Sequence, residues 1–240
     1  MQELRRRLEL LRQPWAYPLR TRLLLAACFA RSRRFALEDL VTNIFQSDAV
    51  RARELAPAIR FADRYKVLRH ALQRTQQITG MVLEFGVYRG DTLRYLASHV
   101  SADTSVVGFD SFAGLKTNWG DLLPAGHFRC AVPQFTQPNV RLEVGMFEDT
   151  LPSFVALQPE PIRVLHIDCD LYDSTRYVLE QLIDRMAPGG VVVFDEYYGY
   201  PSFEGHEYRA WKESCAARQI AATPIACSSH SCAFELPAPG

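Results

Sequence analysis

Apolar and polar positions change period several times along the chain, and each change marks an element. Residues 81–85 (MVLEF) form a short, nearly continuous apolar run closed by Gly86, three residues and Gly90. Leu93, Leu96, Ala97 and Val100 then recur three and four apart. That pattern predicts strand, glycine turn, helix. Four more β-branched runs follow at residues 105–110 (SVVGFD), 139–145 (NVRLEVG), 162–168 (IRVLHID) and 190–195 (GVVVFD). The last is hydrophobic throughout, as a parallel strand covered on both faces should be. Asp149 or Thr150 is expected to cap a short helix with Pro152 in its first turn. Val178, Leu179, Leu182, Ile183 and Met186 make the apolar face of another helix, capped at Asp173 or Ser174 and stopped by Pro188, Gly189 and Gly190. Residues 37–45, 52–79 and 204–219 read as further helices. Residues 220–227 and 231–236 alternate as an antiparallel hairpin.

These elements predict an α/β protein. Five parallel strands in the doubly wound order 3-2-1-4-5 are joined by the hairpin. A helical N-terminal extension over residues 1–79 precedes a domain at 80–240. Residues 111–138 are too long a connection to be idle, and Phe112, Trp119, Phe128 and Phe135 argue for a partly ordered lid.

Composition narrows the class. The chain has 240 residues and a formal net charge of zero, so no basic field favours nucleic acid. Six cysteines are scattered without a CxxC pair, which disfavours zinc and fits a reduced, cytoplasmic setting. Cys227 and Cys232 could face each other across the hairpin, and two buried thiols are the simpler expectation. The longest apolar run, residues 23–30, is far short of the ~20 residues a spanning helix needs. It is flanked by arginines rather than by a cleavage site, so no leader is expected. Residues 1–34 are arginine-rich with leucines at helical spacing. They are expected to pack on their own domain or on a second subunit. Membrane-surface contact is the other reading of a basic amphipathic helix.

The chemistry collects at the carboxyl ends of the expected strands, where open α/β sheets bind ligands. The glycine spacing G-x-x-x-G lacks one glycine of a dinucleotide fingerprint, and Glu84 would repel a pyrophosphate. The same carboxylate suits a ligand with a positive amino group and no phosphate, such as S-adenosylmethionine (SAM). Gly86, Val87, Tyr88 and Gly90 form the turn beside such a ligand. Asp110, followed by Ser111, ends the second strand, where a carboxylate accepts from a ribose diol. Phe147, just past the third strand, could lie against an adenine ring. Asp168 ends the fourth strand, and Asp195 with Glu196 ends the neighbouring fifth. Three converging carboxylates repel one another, and a divalent cation such as Mg2+ resolves the conflict. Asp170 and Asp173 lie close enough in sequence to join them. Asp168, His127 and His206, in that order, are candidates for the base.

Five stretches together, LEFGVYRGDTL, VVGFDSFAGL, EVGMFEDTLP, HIDCDLYDSTRYVLEQL and GGVVVFDEYYGYPSFEGHEYRAW, resemble the macrocin O-methyltransferase family. The resemblance spans roughly residues 80–212. It implies a class I SAM-dependent methyltransferase sheet of seven strands, Rossmann-like, with divalent-metal assistance and self-association. It also implies Glu84 and Gly86 near the methionine part of SAM, Asp110 on its ribose, and Asp168, Asp195 and Glu196 on the metal. The best-known members carry two aspartates where this chain has Asp195 and Glu196.

The function expected from these readings is methyl transfer from SAM to a hydroxyl of a small molecule, a sugar or glycosylated metabolite. Two rivals remain at this stage. One is a non-catalytic SAM-binding domain tethered to a membrane or partner by the basic N-terminus. The other is a nicotinamide-dependent oxidoreductase, which the glycine spacing disfavours.

Overall fold

A computed structural model describes residues 37–120 and 122–238 of the chain. The arginine-rich stretch at residues 1–34 lies outside the described residues.

The five β-branched runs form strands, and the hairpin closes the sheet. The strands are β1 (Ile59–Arg60), β2 (Met81–Phe85), β3 (Val106–Asp110), β4 (Val140–Val144), β5 (Ile162–Ile167), β6 (Met186–Phe194), β7 (Thr223–Cys227) and β8 (Cys232–Glu235). Their order is β1-β7-β8-β6-β5-β2-β3-β4. The expected seven strands and the 3-2-1-4-5 order of the first five are therefore present. An eighth strand of two residues is added at the edge, where β1 pairs parallel with β7. β8 alone runs antiparallel to both of its neighbours.

Among the described residues six α-helices cover the two faces: α1 (Leu37–Arg53), α2 (Arg64–Arg74), α3 (Asp91–Ser98), α4 (Phe147–Leu157), α5 (Tyr172–Leu182) and α6 (Glu207–Arg218). Strand parity decides which side chains meet which face. Val82, Val164, Val191 and Val193 join Val67, Leu68, Leu93 and Leu96 in the core under α2 and α3. Leu83, Phe85, Leu165, Ile167, Val192 and Phe194 face the other way, toward α4, α5 and α6. Phe85 and Phe109 stack there with centroids 4.4 Å apart, and Phe147 meets Phe85 edge-on at 5.2 Å.

Four local expectations are corrected. The run at 52–79 is not one helix, because Pro57 interrupts it, residues 59 and 60 are drawn into the sheet, and Asp63 starts α2 by accepting from the Lys66 N–H. Thus residues set apart as an extension supply a strand and a helix to the sheet. α4 begins at Phe147 rather than beyond Thr150, with Met146 as its N-cap, so Pro152 sits inside it. α5 is capped at Leu171, not at Asp173 or Ser174. Pro188, Gly189 and Gly190 do not end a helix. α5 stops at Leu182, and the three residues lie within β6, where the pairing with β5 slips between Ile162 and Val164. A proline and two glycines suit such a bulge as well as a helix stop.

The long connection after β3 is ordered by its own backbone bonds. Leu115 N–H donates to the His127 carbonyl, Gly126 N–H donates to Leu115, and Trp119 bridges to Leu123. Cys227 and Cys232 are opposed across β7 and β8 as buried free thiols. Among the described residues no helix is long and apolar enough to cross a membrane.

Candidate active site

A cavity of about 360 Å³ opens at the carboxyl ends of the strands. Its walls come from the turn after β2 (Gly86, Val87, Tyr88, Arg89), the end of β3 (Asp110, Ser111), the long connection (Lys116, Trp119, Phe128) and the start of α4 (Met146, Phe147, Glu148). Its acidic side holds Asp168, Asp170 and Glu196, with Arg64 beside them.

The glycine turn is fixed by close approach. Gly86 has φ of 92°, and a Cβ there would lie 1.7 Å from the carbonyl oxygen of Asp168. No other residue lets the ends of β2 and β5 come so near. Asp110 then holds the turn. One oxygen accepts from the backbone N–H of Val87 at 2.9 Å and of Tyr88 at 2.8 Å, and the other accepts from Phe112 N–H at 2.7 Å. Tyr88 and Phe112 are both left-handed, with φ of 49° and 56°. These three bonds help hold a conformation that non-glycine residues avoid. Asp110 lines the cavity as expected, but much of its accepting capacity serves the backbone.

Glu84 does not face the cavity. It has the parity of Val82, so its side chain points under α2, and it lies opposite His166 on β5. His166 Nδ1 is 2.9 Å from Glu84 Oε1, and both side chains are fully buried. Burial raises the Glu84 pKa, with His166 pulling against it. Glu84 is therefore held in an internal pair off the cavity wall, its Oε2 buried without a hydrogen-bond partner. The reason is alternation along the strand, which sends residue 84 to the helix side. Gly90 is likewise outside the cavity wall. It sits at the left-handed N-cap of α3, under Phe135.

The line of polar groups continues from His166 to Asp195. His166 Nε2 lies 3.8 Å from Asp195 Oδ1, and Arg64 Nη1 donates to Asp195 Oδ2 at 2.6 Å. Ser231 Oγ donates to the other oxygen at 3.4 Å. Burial works to raise the Asp195 pKa, but the charges of His166 and Arg64 outweigh it and hold the carboxyl below its ordinary value. Asp195 does not line the cavity, and Asp170 stands where it was expected. Asp170 has φ of 62° and lines the cavity.

Ligand atoms of Asp168, Asp170 and Glu196 lie within 4.8 Å of one another, as do those of His166, Asp168 and Asp195. Burial and then the Asp195 charge push the Asp168 pKa well up. Burial, then Asp195, Asp168 and Asp170, do the same to Glu196, and burial with Asp195 lifts Asp170 to about 7. Glu196 Oε2 is buried without a partner. Crowded hard oxygens that raise one another's proton affinity fit a divalent cation.

Glu207, at the first position of α6, ties this side together. Its fully buried carboxylate accepts from the backbone N–H of Asp170 at 3.3 Å and of Glu196 at 3.2 Å. Glu207 falls in the last of the resembling stretches, at the start of a helix, but nothing in the sequence gives it a role, since its two partners are backbone amides of other loops. Arg64 was missed because nothing in its sequence context marks one arginine among many.

The base candidates separate. Asp168 lines the cavity. His127 is exposed, packs its ring on Phe128 and is outside the wall. His206 is also outside the wall, beside Trp119 and Tyr200, and burial lowers its pKa.

Residues 83–197 match the family described as a methyltransferase domain. Over 143 residues, half of this chain and 54% of the relative, the chain is 29% identical to the 8-demethyl-8-(2,3-dimethoxy-alpha-L-rhamnosyl)-tetracenomycin-C 4'-O-methyltransferase of Streptomyces olivaceus. Over 158 residues, 55% of this chain and 59% of the relative, it is 30% identical to the demethyldecarbamoylnovobiocin O-methyltransferase of Streptomyces niveus. The chain thus spans little more than half the length of the curated relatives it matches. The fold is similar to that of the calicheamicin methyltransferase CalS11, with a TM-score of 0.59 over 90% of this chain and 91% of that one, at 21% identity. The sheet thus has the fold of that methyltransferase, and about half of the chain is similar in sequence to the two O-methyltransferases.

Proposed function

We propose that this protein is a SAM-dependent O-methyltransferase whose acceptor is a hydroxyl of a small molecule, a sugar or glycosylated metabolite. The observation that carries the reading is one cavity joining the Gly86 turn, held by Asp110, to the acids Asp168, Asp170 and Glu196. The curated relatives named above, which are O-methyltransferases of glycosylated antibiotics, support the acceptor class.

Bound SAM supplies a methyl group already activated on a sulfonium. Proximity and orientation therefore provide most of the acceleration. Gly86, Val87, Tyr88, Ser111 and Phe147 shape the cofactor end of the cavity. Asp168, Asp170 and Glu196, with Asp195 behind them, would hold a divalent cation, which lowers the pKa of a bound hydroxyl. Asp168 takes the acceptor proton at a carboxylate oxygen, its proton affinity raised by burial and the Asp195 charge, with Arg64 3.7 Å away pulling against them. Trp119 and Phe128, from the long connection, add apolar wall to the cavity. Five free cysteines among the described residues are in keeping with a cytoplasmic setting.

Calorimetric titration of S-adenosylhomocysteine, with Mg2+ and with EDTA, tests the reading. Binding in both conditions, with no heat from NADH, supports it. No binding in either removes it.

A further inference from the structure

Arg64 is the first residue of α2 and lies outside the stretch that matches the methyltransferase domain. Its Nη1 is 2.6 Å from Asp195 Oδ2 and 3.7 Å from Asp168 Oδ2. A single nitrogen is therefore shared between carboxylate oxygens at the ends of β5 and β6. A small divalent cation sits about 2.1 Å from its oxygens. A cation bound to both of these oxygens would have to take the place of that nitrogen and would meet the positive charge of the guanidinium.

The three side chains differ in freedom. Asp195 is 3% exposed and Asp168 22%, whereas Arg64 is 38% exposed. The acids are fixed by their strands, and Asp195 is further held by Ser231. The arginine hangs from a helix terminus over open cavity, its guanidinium 5.4 Å from the Tyr65 ring. Long arginine stems swing into solvent at modest cost, and strand-end aspartates do not.

We infer that Arg64 and a divalent cation are alternative counter-ions for the Asp168–Asp195 pair, so that loading the cation on these carboxylates requires the guanidinium to leave them. The inference rests on the proposed function only in taking a divalent cation to belong at this site. In the metal-free protein Arg64 offsets part of the charge of the pair. Binding of the cation is weakened by the work of displacing it. By linkage, whatever draws Arg64 away from Asp195 tightens cation binding by the same factor.

The test is a titration with Mn2+ alone, followed by the paramagnetic resonance signal of the free ion. Wild type, R64M, D195N and the double variant are compared, with R64Q as a second arginine variant and thermal melting to verify folding. R64M and R64Q are expected to bind Mn2+ about tenfold more tightly than wild type. The gain should vanish in the D195N background, where the contested ligand is gone. Unchanged or weaker Mn2+ binding on loss of Arg64 overturns the inference. So does a gain of equal size in both backgrounds, which would mark a distant charge effect without competition, and so does absence of Mn2+ binding in every variant. S-adenosylhomocysteine binding to the wild type is read separately. Its failure would count against the methyltransferase reading while the Mn2+ result still decides the role of Arg64.

Discussion

Asp170 donates its backbone N–H to the carboxylate of Glu207, 3.3 Å away and 37 residues later in the chain. The second oxygen of Glu207 accepts from Glu196, so one buried side chain spans the loops after β5 and β6. Glu207→Ala leaves two buried amides without acceptors, and each costs about 1–3 kcal/mol. The expected loss of stability is roughly 2–4 kcal/mol in urea unfolding. Glu207→Gln keeps one acceptor oxygen and should lose less. If both variants unfold at the wild-type midpoint, the clasp contributes nothing.

Asp110 governs the other end of the cavity through three backbone amides. Asp110→Ala releases Val87, Tyr88 and Phe112 at once. S-adenosylhomocysteine affinity is expected to fall by about tenfold or more, the equivalent of one such bond. Calorimetry checks it, and undiminished affinity would mean the turn holds itself.

Gly86 and Gly205 offer a matched contrast. A methyl at Gly86 collides with the Asp168 carbonyl at a positive φ, whereas nothing lies within 4 Å of one at Gly205. Gly86→Ala should destabilise by about 3 kcal/mol or more. Gly205→Ala should stay within about 0.5 kcal/mol of wild type. Thermal melts of the two variants side by side decide the point.

Acid lability should depend on His206. Burial lowers its pKa, so the folded protein favours the neutral ring. The stability this represents is present above the unfolded value near 6.5 and is lost as pH falls through the depressed folded value. His230 is shifted the same way by burial, with Asp195 opposing. The contribution of these two rings should therefore drop between pH 7.5 and 5.5, against the opposite contribution of the acids whose pKa is raised, and His206→Phe should reduce the drop. An identical drop in that variant would assign the loss to other groups.

The sequence by itself determined the sheet and the edge at which chemistry gathers. Five β-branched runs each carry enough local apolar pattern to be read alone, and Gly86, Asp110, Asp168 and Glu196 sit at their ends by spacing. Local pattern failed where two readings share one composition. Pro188, Gly189 and Gly190 stop a helix or bulge a strand equally well, and only pairing with β5 chose the bulge. Tertiary structure also decided the partners of the charged groups. Glu84 turned inward because strand parity set it opposite His166, and Asp195 was drawn beneath Arg64, 131 residues away. Asp170 took the cavity position with a left-handed backbone, and Glu207 reached it from α6. Such pairings depend on register and on elements distant in sequence. A one-residue period can be read along the chain, but which buried charge meets which counter-charge is settled only when the strands and helices are packed together.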